Sequence, residues 1–166
     1  ICACLVGSEM CIRDSICTAL VRAGAAVIND EDSVTASHRP LRAFEFDATH
    51  CPDLFPALAA LAAAAQGESV IRGTSRLEHK ECNRADAIRE EYAKAGIEVD
   101  ISQEDVMRIR GGRIRAARVQ SHGDHRMAMS MAVAGLLSDG EMTIEDAECV
   151  AKSYPGFFED LEKIRI

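Results

Sequence analysis

Apolar and polar positions along the chain alternate between helical and extended patterns. The apolar run LFPALAALAAAA (54–65) predicts one apolar helix, and residues 126–137 predict a second. Segments 15–23 and 83–95 read as helices that each stop just before a glycine, Gly24 and Gly96, the residue that best tolerates the left-handed position after a helix. A short closing helix is expected over 155–164. Short extended stretches predict strands at 26–28, 33–36, 42–46, 69–72, 98–101, 106–110, 113–119 and 142–145. Helices and strands in near alternation make this an α/β domain.

The pattern repeats. Residues 21–46 lie over 93–119 at an offset of about 72, and 54–73 lie over 127–146 at an offset of 73. Each copy carries a helix closed by glycine, an alternating strand, an acidic turn and further short strands. An apolar helix and one more strand follow. The period is too long for a thin solenoid, whose units run about 20–50 residues. It fits a larger supersecondary unit repeated about a core.

Composition narrows the function. The chain has 166 residues and a net charge of −8, which argues against a general nucleic-acid binder. Anionic small substrates stay open, because a local cluster of Arg and Lys can sit inside an acidic whole. No apolar run approaches membrane-spanning length. Seven Cys, an odd number without any CxxC pair, are most simply read as reduced thiols of a cytoplasmic protein. Residues 1–15, ICACLVGSEMCIRDS, show no clear period, and SEMCIRDS looks like translated sequencing adapter. This tract is expected to be a non-native leader on a fragment whose native part is 16–166, with repeat units at about 16–50 and 51–122 and a remainder at 123–166.

Four loops hold the unusual polar residues. Asp53 lies ahead of one apolar helix in THCPD, where it suits an N-cap but shares its loop with His50 and Cys51. In RLEHKECNR (76–84), Lys80, Glu81 and Arg84 gather at a helix start, with 80 and 84 expected on one helical face. A solvated helix start is the bland reading. Two cations there oppose the helix dipole, however, and make better sense beside a bound anion. SHGDHRMAM (121–129) packs two His, Asp124 and Arg126 ahead of the second apolar helix. Its HxxH spacing suggests a metal, but no further ligand cluster has suitable spacing, so an Arg126 held by Asp124 is the better reading. Lys152 lies in VAKSYPGFF (150–158) and, taken alone, is a surface lysine.

Together, CPDLFPALAALAA (51–63), RLEHKECNR, SHGDHRMAM and AKSYPGFF (151–158) resemble the 5-enolpyruvylshikimate-3-phosphate synthase family in order and spacing. The resemblance implies an enolpyruvyl transferase-like lobe of repeated βαβαββ units, an incomplete inverse barrel. This chain would hold the last two units of that lobe. A second, N-terminal lobe would complete the site, in an enzyme that is monomeric when whole. The implied reaction joins the 5-hydroxyl of shikimate 3-phosphate to C2 of phosphoenolpyruvate and expels phosphate, without metal or cofactor. By resemblance, Asp53 is the general base and a shikimate-phosphate ligand, and Glu81 exchanges the C3 proton. Lys80 touches the shikimate hydroxyl, while Arg84, Arg126 and Lys152 bind phosphoenolpyruvate. Asn83, Gly123 and Cys82 depart from the residues usual in the family. Two alternatives stand beside this reading: a relative of the UDP-N-acetylglucosamine enolpyruvyl transferase, and a non-catalytic α/β module for an anionic metabolite. A structural or assembly role is a third.

Overall fold

The computed structural model describes residues 8–164 apart from 31, 32, 38 and 79, with the side chains of 8–11 left aside. Residues 1–7 of the leader tract and His79 of RLEHKECNR therefore lie outside the described residues. Five α-helices and eight strands follow in the order α1 (Ser8–Arg22), β1 (Ala26–Asn29), β2 (Val34–Ser37), β3 (Glu45–Asp47), α2 (Phe55–Ala64) and β4 (Gly67–Arg72), then α3 (Arg84–Lys94), β5 (Glu98–Asp100), β6 (Val106–Gly111), β7 (Ala117–Gln120), α4 (His125–Gly135), β8 (Met142–Glu145) and α5 (Phe157–Ile164). The order helix, three strands, helix, strand occurs twice.

Two boundaries differ from expectation by more than three residues. Helix α1 begins at Ser8 rather than at residue 15, and Arg13 donates to Asn29 Oδ1 at 2.9 Å, linking α1 to β1. No Gly or Pro interrupts residues 8–22, so nothing local stops the helix. Residues 113–116 are not strand, although 113–119 was expected to be one. Their backbone bonds go to turns: Arg115 N–H to Ala95, Ala116 N–H to the Asp139 carboxylate, and Ile114 C=O from Asp139 N–H.

Strand pairing carries the repeat into three dimensions. Strands β3 and β4 pair in parallel with Glu45 opposite Val70, and β7 and β8 pair in parallel with Arg118 opposite Thr143. Both members of the second pair stand 73 residues beyond their counterparts. The antiparallel hairpins β1–β2 and β5–β6 repeat likewise. The central sheet runs β3-β4-β6-β5, with β4 antiparallel to β6 where the two units meet. Among the described residues the other strands form two-stranded sheets, and no barrel closes.

Helices α2 and α4, equivalent in the repeat, pack against each other through the core. Small side chains make this approach close: in α2, Leu58, Ala59, Ala62 and Ala63 are fully buried, and in α4, Met127, Ala128 and Met131. Helix α3 adds Ile88 and Tyr92, and the sheet adds Ile71, Met107 and Ile109. A chain of hydrogen bonds crosses this interior. Tyr92 Oη and Ser130 Oγ lie 2.6 Å apart, and Ser130 donates to the Pro56 carbonyl, so α3, α4 and the start of α2 are pinned together. Burial pushes the Tyr92 hydroxyl well above the ordinary tyrosine value, so it stays neutral.

Glycines set the corners. Gly24 and Gly96 both take the left-handed conformation after α1 and α3, with φ of 95° and 80°. Gly73, after β4, has φ of 105°, and a Cβ there would fall 2.6 Å from Thr49 N. Thr49 belongs to the loop that carries Asp53, so this contact seats the loop against the sheet. Gly73→Ala is therefore expected to destabilise the fold by about 1–3 kcal/mol, combining left-handed strain with a backbone clash, as read by its denaturant midpoint.

Candidate active site

Three helix starts deliver the polar residues to one end of the core. Asp53 lies within a 3-10 turn, Pro52–Leu54, whose N-cap is Cys51, and the α2 that follows has Leu54 at its N-cap. Asp53 thus does not occupy the N-cap position that the sequence suggests. Arg84 is the first residue of α3, whose cap is Asn83, accepting from Asp86 N–H. Asp124 caps α4, accepting from Arg126 N–H at 2.9 Å.

Arg84 is the centre of the cluster. Its side chain is 0% exposed, and its guanidinium reaches three carboxylates. Nε donates to Asp124 Oδ2 at 2.6 Å, Nη1 to Asp53 Oδ1 at 2.6 Å and Nη2 to Glu81 Oε2 at 2.7 Å. The planar fork of arginine suits such a set, since each nitrogen faces its own acceptor. Burial opposes the charge on Arg84, but the bonds to Asp124 and Asp53 more than offset it, and its pKa is raised.

Asp53 in turn collects three cations. Besides Arg84, Lys80 Nζ lies 3.1 Å from Oδ1 and Arg126 Nη2 lies 3.6 Å from Oδ2. Partial burial would raise its pKa; hydrogen bonds from Arg84 and Lys80, with the charge of Arg126, outweigh burial and hold the carboxyl below its ordinary value. Lys152 joins from another direction, donating to the Gly123 carbonyl at 3.3 Å, next to Asp124 in the chain.

Asp53, Lys80, Glu81, Arg84 and Arg126 therefore converge as the sequence suggested, with Lys152 on the adjoining turn. Two geometric expectations are corrected. Lys80 and Arg84 share no helical face, because α3 starts at Arg84; they meet at Asp53 from separate stretches of backbone. The arginine whose side chain Asp124 holds is Arg84, while Arg126 gives Asp124 only its backbone N–H. Asp124, 0% exposed, is the residue whose part the sequence reading missed. The available signal was its place ahead of an apolar helix, which shows a cap but not a partner 40 residues away.

Cys82 borders the cluster. Burial foremost, then the Asp124 charge, push its thiol up to about 11, so it stays protonated and is no nucleophile at neutral pH. Glu81, Asp124 and His125 offer ligand atoms within 4.8 Å of one another, but the first two carboxylates already grip Arg84.

A buried guanidinium shared by carboxylates, beside partly exposed cations, suits a substrate with several negative charges. Comparison with known proteins is in accord. The family model for EPSP synthase (3-phosphoshikimate 1-carboxyvinyltransferase) matches residues 8–161, nearly the whole chain. The chain belongs to the EPSP synthase family. Among curated relatives, the 3-phosphoshikimate 1-carboxyvinyltransferase of Methanocella arvoryzae is 42% identical over 147 residues, covering 87% of this chain and 35% of its own length. That of Thermococcus kodakarensis is 42% identical over 146 residues, covering 88% and 36%. The solved structure of EPSP synthase from Acinetobacter baumannii superposes with a TM-score of 0.74 at 29% identity, over 91% of this chain and 38% of that one. The enolpyruvyl transferase NikO from Streptomyces tendae gives 0.70 at 26% identity, over 95% and 37%. The chain thus spans little more than a third of these EPSP synthase family and enolpyruvyl transferase relatives. Its mixed α/β fold is theirs, present as part of a lobe.

Proposed function

We propose that this chain is the C-terminal part of a 3-phosphoshikimate 1-carboxyvinyltransferase and carries the phosphoenolpyruvate side of its site. The observation behind the proposal is Asp53, a carboxylate held ionised under Lys80, Arg84 and Arg126. Such a group accepts the 5-hydroxyl proton of shikimate 3-phosphate as that oxygen attacks C2 of phosphoenolpyruvate. Lys80, on the same carboxylate, positions the reacting oxygen and shikimate phosphate. Arg84 and Arg126 grip the carboxylate and phosphate of phosphoenolpyruvate, and Lys152 adds a further cation.

Glu81 is the mobile member. Its side chain is 44% exposed, whereas Asp124 on the same guanidinium is 0% exposed. An incoming substrate anion displaces Glu81 from Arg84 Nη2 more readily than it displaces Asp124. Released, Glu81 takes up a proton from water and gives it to C3 as the 5-oxygen bonds to C2. It later takes a C3 proton back while the phosphate leaves with the proton held by Asp53, the addition–elimination that the two-substrate chemistry requires. No step calls for a metal or organic cofactor.

The rest of the longer protein would complete the enzyme. An apolar groove of about 430 Å³ between α1, α2 and α4, lined by Ile16, Leu20, Leu41, Leu61 and Leu137, opens beside Asp53 and Arg126. A further repeat unit from the rest of the longer protein covers it in this reading, and the second lobe closes over the cations. The full enzyme acts in this reading as a monomer in the cytoplasm; Cys17, Cys82 and Cys149 are in no disulfide, and among the described residues no helix is long and apolar enough to cross a membrane.

Phosphate release by the full-length protein tests the proposal. The expected result is release that needs both phosphoenolpyruvate and shikimate 3-phosphate, with a product heavier by one enolpyruvyl group. No release with both substrates would overturn it. Saturable anion binding unchanged in Asp53→Asn, without turnover, would instead favour a non-catalytic module. The relatives named above do not favour the UDP-N-acetylglucosamine alternative.

A further inference from the structure

The turn that carries Asp124 and leads into Arg126 is strained. His122 and Gly123 are both left-handed, with φ of 54° and 69°, and Asp124 N–H bonds back to the Ser121 carbonyl at 3.0 Å. Successive left-handed residues across such a bond make a type I′ turn, which favours Asn or Gly at its first central position. Histidine suits that position less well than Asn or Gly, and a contact from outside the turn steadies it.

Glu91 of α3 does so. Its carboxylate is 0% exposed and accepts four hydrogen bonds. Lys94 Nζ donates to both oxygens at 2.8 Å, Gln120 N–H to Oε2 at 2.9 Å, and His122 Nε2 lies 2.7 Å from Oε1. An ionised carboxylate only accepts, so His122 Nε2 carries a hydrogen in this contact. Burial opposes the charge on Glu91, yet its bonds to Lys94, Gln120 and His122 keep the carboxyl below its ordinary value.

The repeat supplies an internal comparison. At the offset of the strand register, Thr49 corresponds to His122 and Asp53 to Arg126; at the offset of the helices, Ala19 of α1 corresponds to Glu91. Among the described residues, the left-handed positions other than glycine are Asp105, His122 and Asp146, and Thr49 is not one of them. The first unit anchors its loop locally, with Thr49 N–H on the Asp47 carboxylate at 3.0 Å. At the matching helix position the first unit has the buried Ala19 and the second, whose turn is left-handed, the buried acid Glu91.

We propose that Glu91 and His122 are positioning residues, which hold the strained turn so that Asp124, Arg126 and the Gly123 carbonyl face Arg84, Asp53 and Lys152. Neither touches the reacting atoms. This rests on the proposed phosphoenolpyruvate site, because the turn carries into Arg126 and, through Asp124 and the Gly123 carbonyl, holds the Arg84 and Lys152 assigned to that substrate.

The test uses the full-length protein with Glu91→Gln, alone and combined with His122→Asn, which adopts the left-handed conformation with less strain. In Glu91→Gln, amide exchange of the peptide spanning 117–127 is expected to quicken, and KM for phosphoenolpyruvate to rise about tenfold, with KM for shikimate 3-phosphate within about twofold of wild type. Adding His122→Asn is expected to recover most of both changes. Unchanged exchange across the turn would overturn the proposal, as would equal rises in both KM values that His122→Asn leaves uncorrected. The exchange measurement needs no turnover, so it stands even if the transferase reading fails. Should Glu91→Gln not fold, His122→Ala, which keeps the strain and loses the anchor, is expected to show the same selective rise.

Discussion

Arg84→Ala is expected to cost about 3–5 kcal/mol of stability and to abolish measurable turnover. The magnitude follows from what the substitution leaves behind. Asp124 is fully buried and its Oδ2 accepts from Arg84 Nε at 2.6 Å, so removing the cation strands a charge that water cannot reach. Asp53 and Glu81 lose the same partner but keep access to solvent, so their share is smaller. Arg84→Lys should recover little, because one ammonium cannot present the fork that meets three carboxylates at once. Urea unfolding of the full-length protein reads the stability, and phosphate release reads the turnover. A variant with an unchanged midpoint would show that Arg84 is not the hub described above.

Asp53→Asn is expected to behave in the opposite way, lowering kcat by about 10²–10⁴-fold while leaving the fold nearly intact. The amide oxygen still accepts from Arg84, and Lys80 and Arg126 lie at a partly exposed edge where water replaces the lost charge. The amide cannot take a proton. The pH dependence has a definite sign. Because the Asp53 carboxyl is held below its ordinary value of 3.8, it contributes stability that is present above that value and lost as pH falls through the lower value of the folded protein. The acid limb of kcat/KM that belongs to Asp53 in the free enzyme should therefore lie below pH 3.8, and a limb above it would assign the base elsewhere.

These two residues also mark how far the sequence could be read. Helix and strand order and the repeat were legible because apolar periodicity is local, whereas the convergence of Asp53, Lys80, Glu81, Arg84 and Arg126 followed only from the resemblance of four motifs to a known family. The turn at 113–116 was not, since its backbone partners, Ala95 and Asp139, lie about 20 residues away on either side. Asp124 was read as a companion of Arg126 because they are neighbours in the chain. Its charge belongs to Arg84, a pairing that only the packing of α3 on α4 creates. Glu91 gave no signal at all. On a helical stretch of Arg-Glu-Glu-Tyr-Ala-Lys it looks like one more solvated acid, and its burial depends on Gln120 and His122 arriving from the end of β7, about 30 residues on.

The proposed catalysis stands or falls with a set of opposed charges closing around a small dianion next to an ionised aspartate. A crystal structure of the full-length protein soaked with phosphoenolpyruvate and shikimate 3-phosphate shows this most directly. The expected density places the three-carbon acid against Arg84, Arg126 and Lys152, Glu81 turned away from Arg84, and Asp53 within hydrogen-bonding distance of the 5-hydroxyl. Substrate density elsewhere, with Glu81 and Asp53 still closed on Arg84, would contradict it.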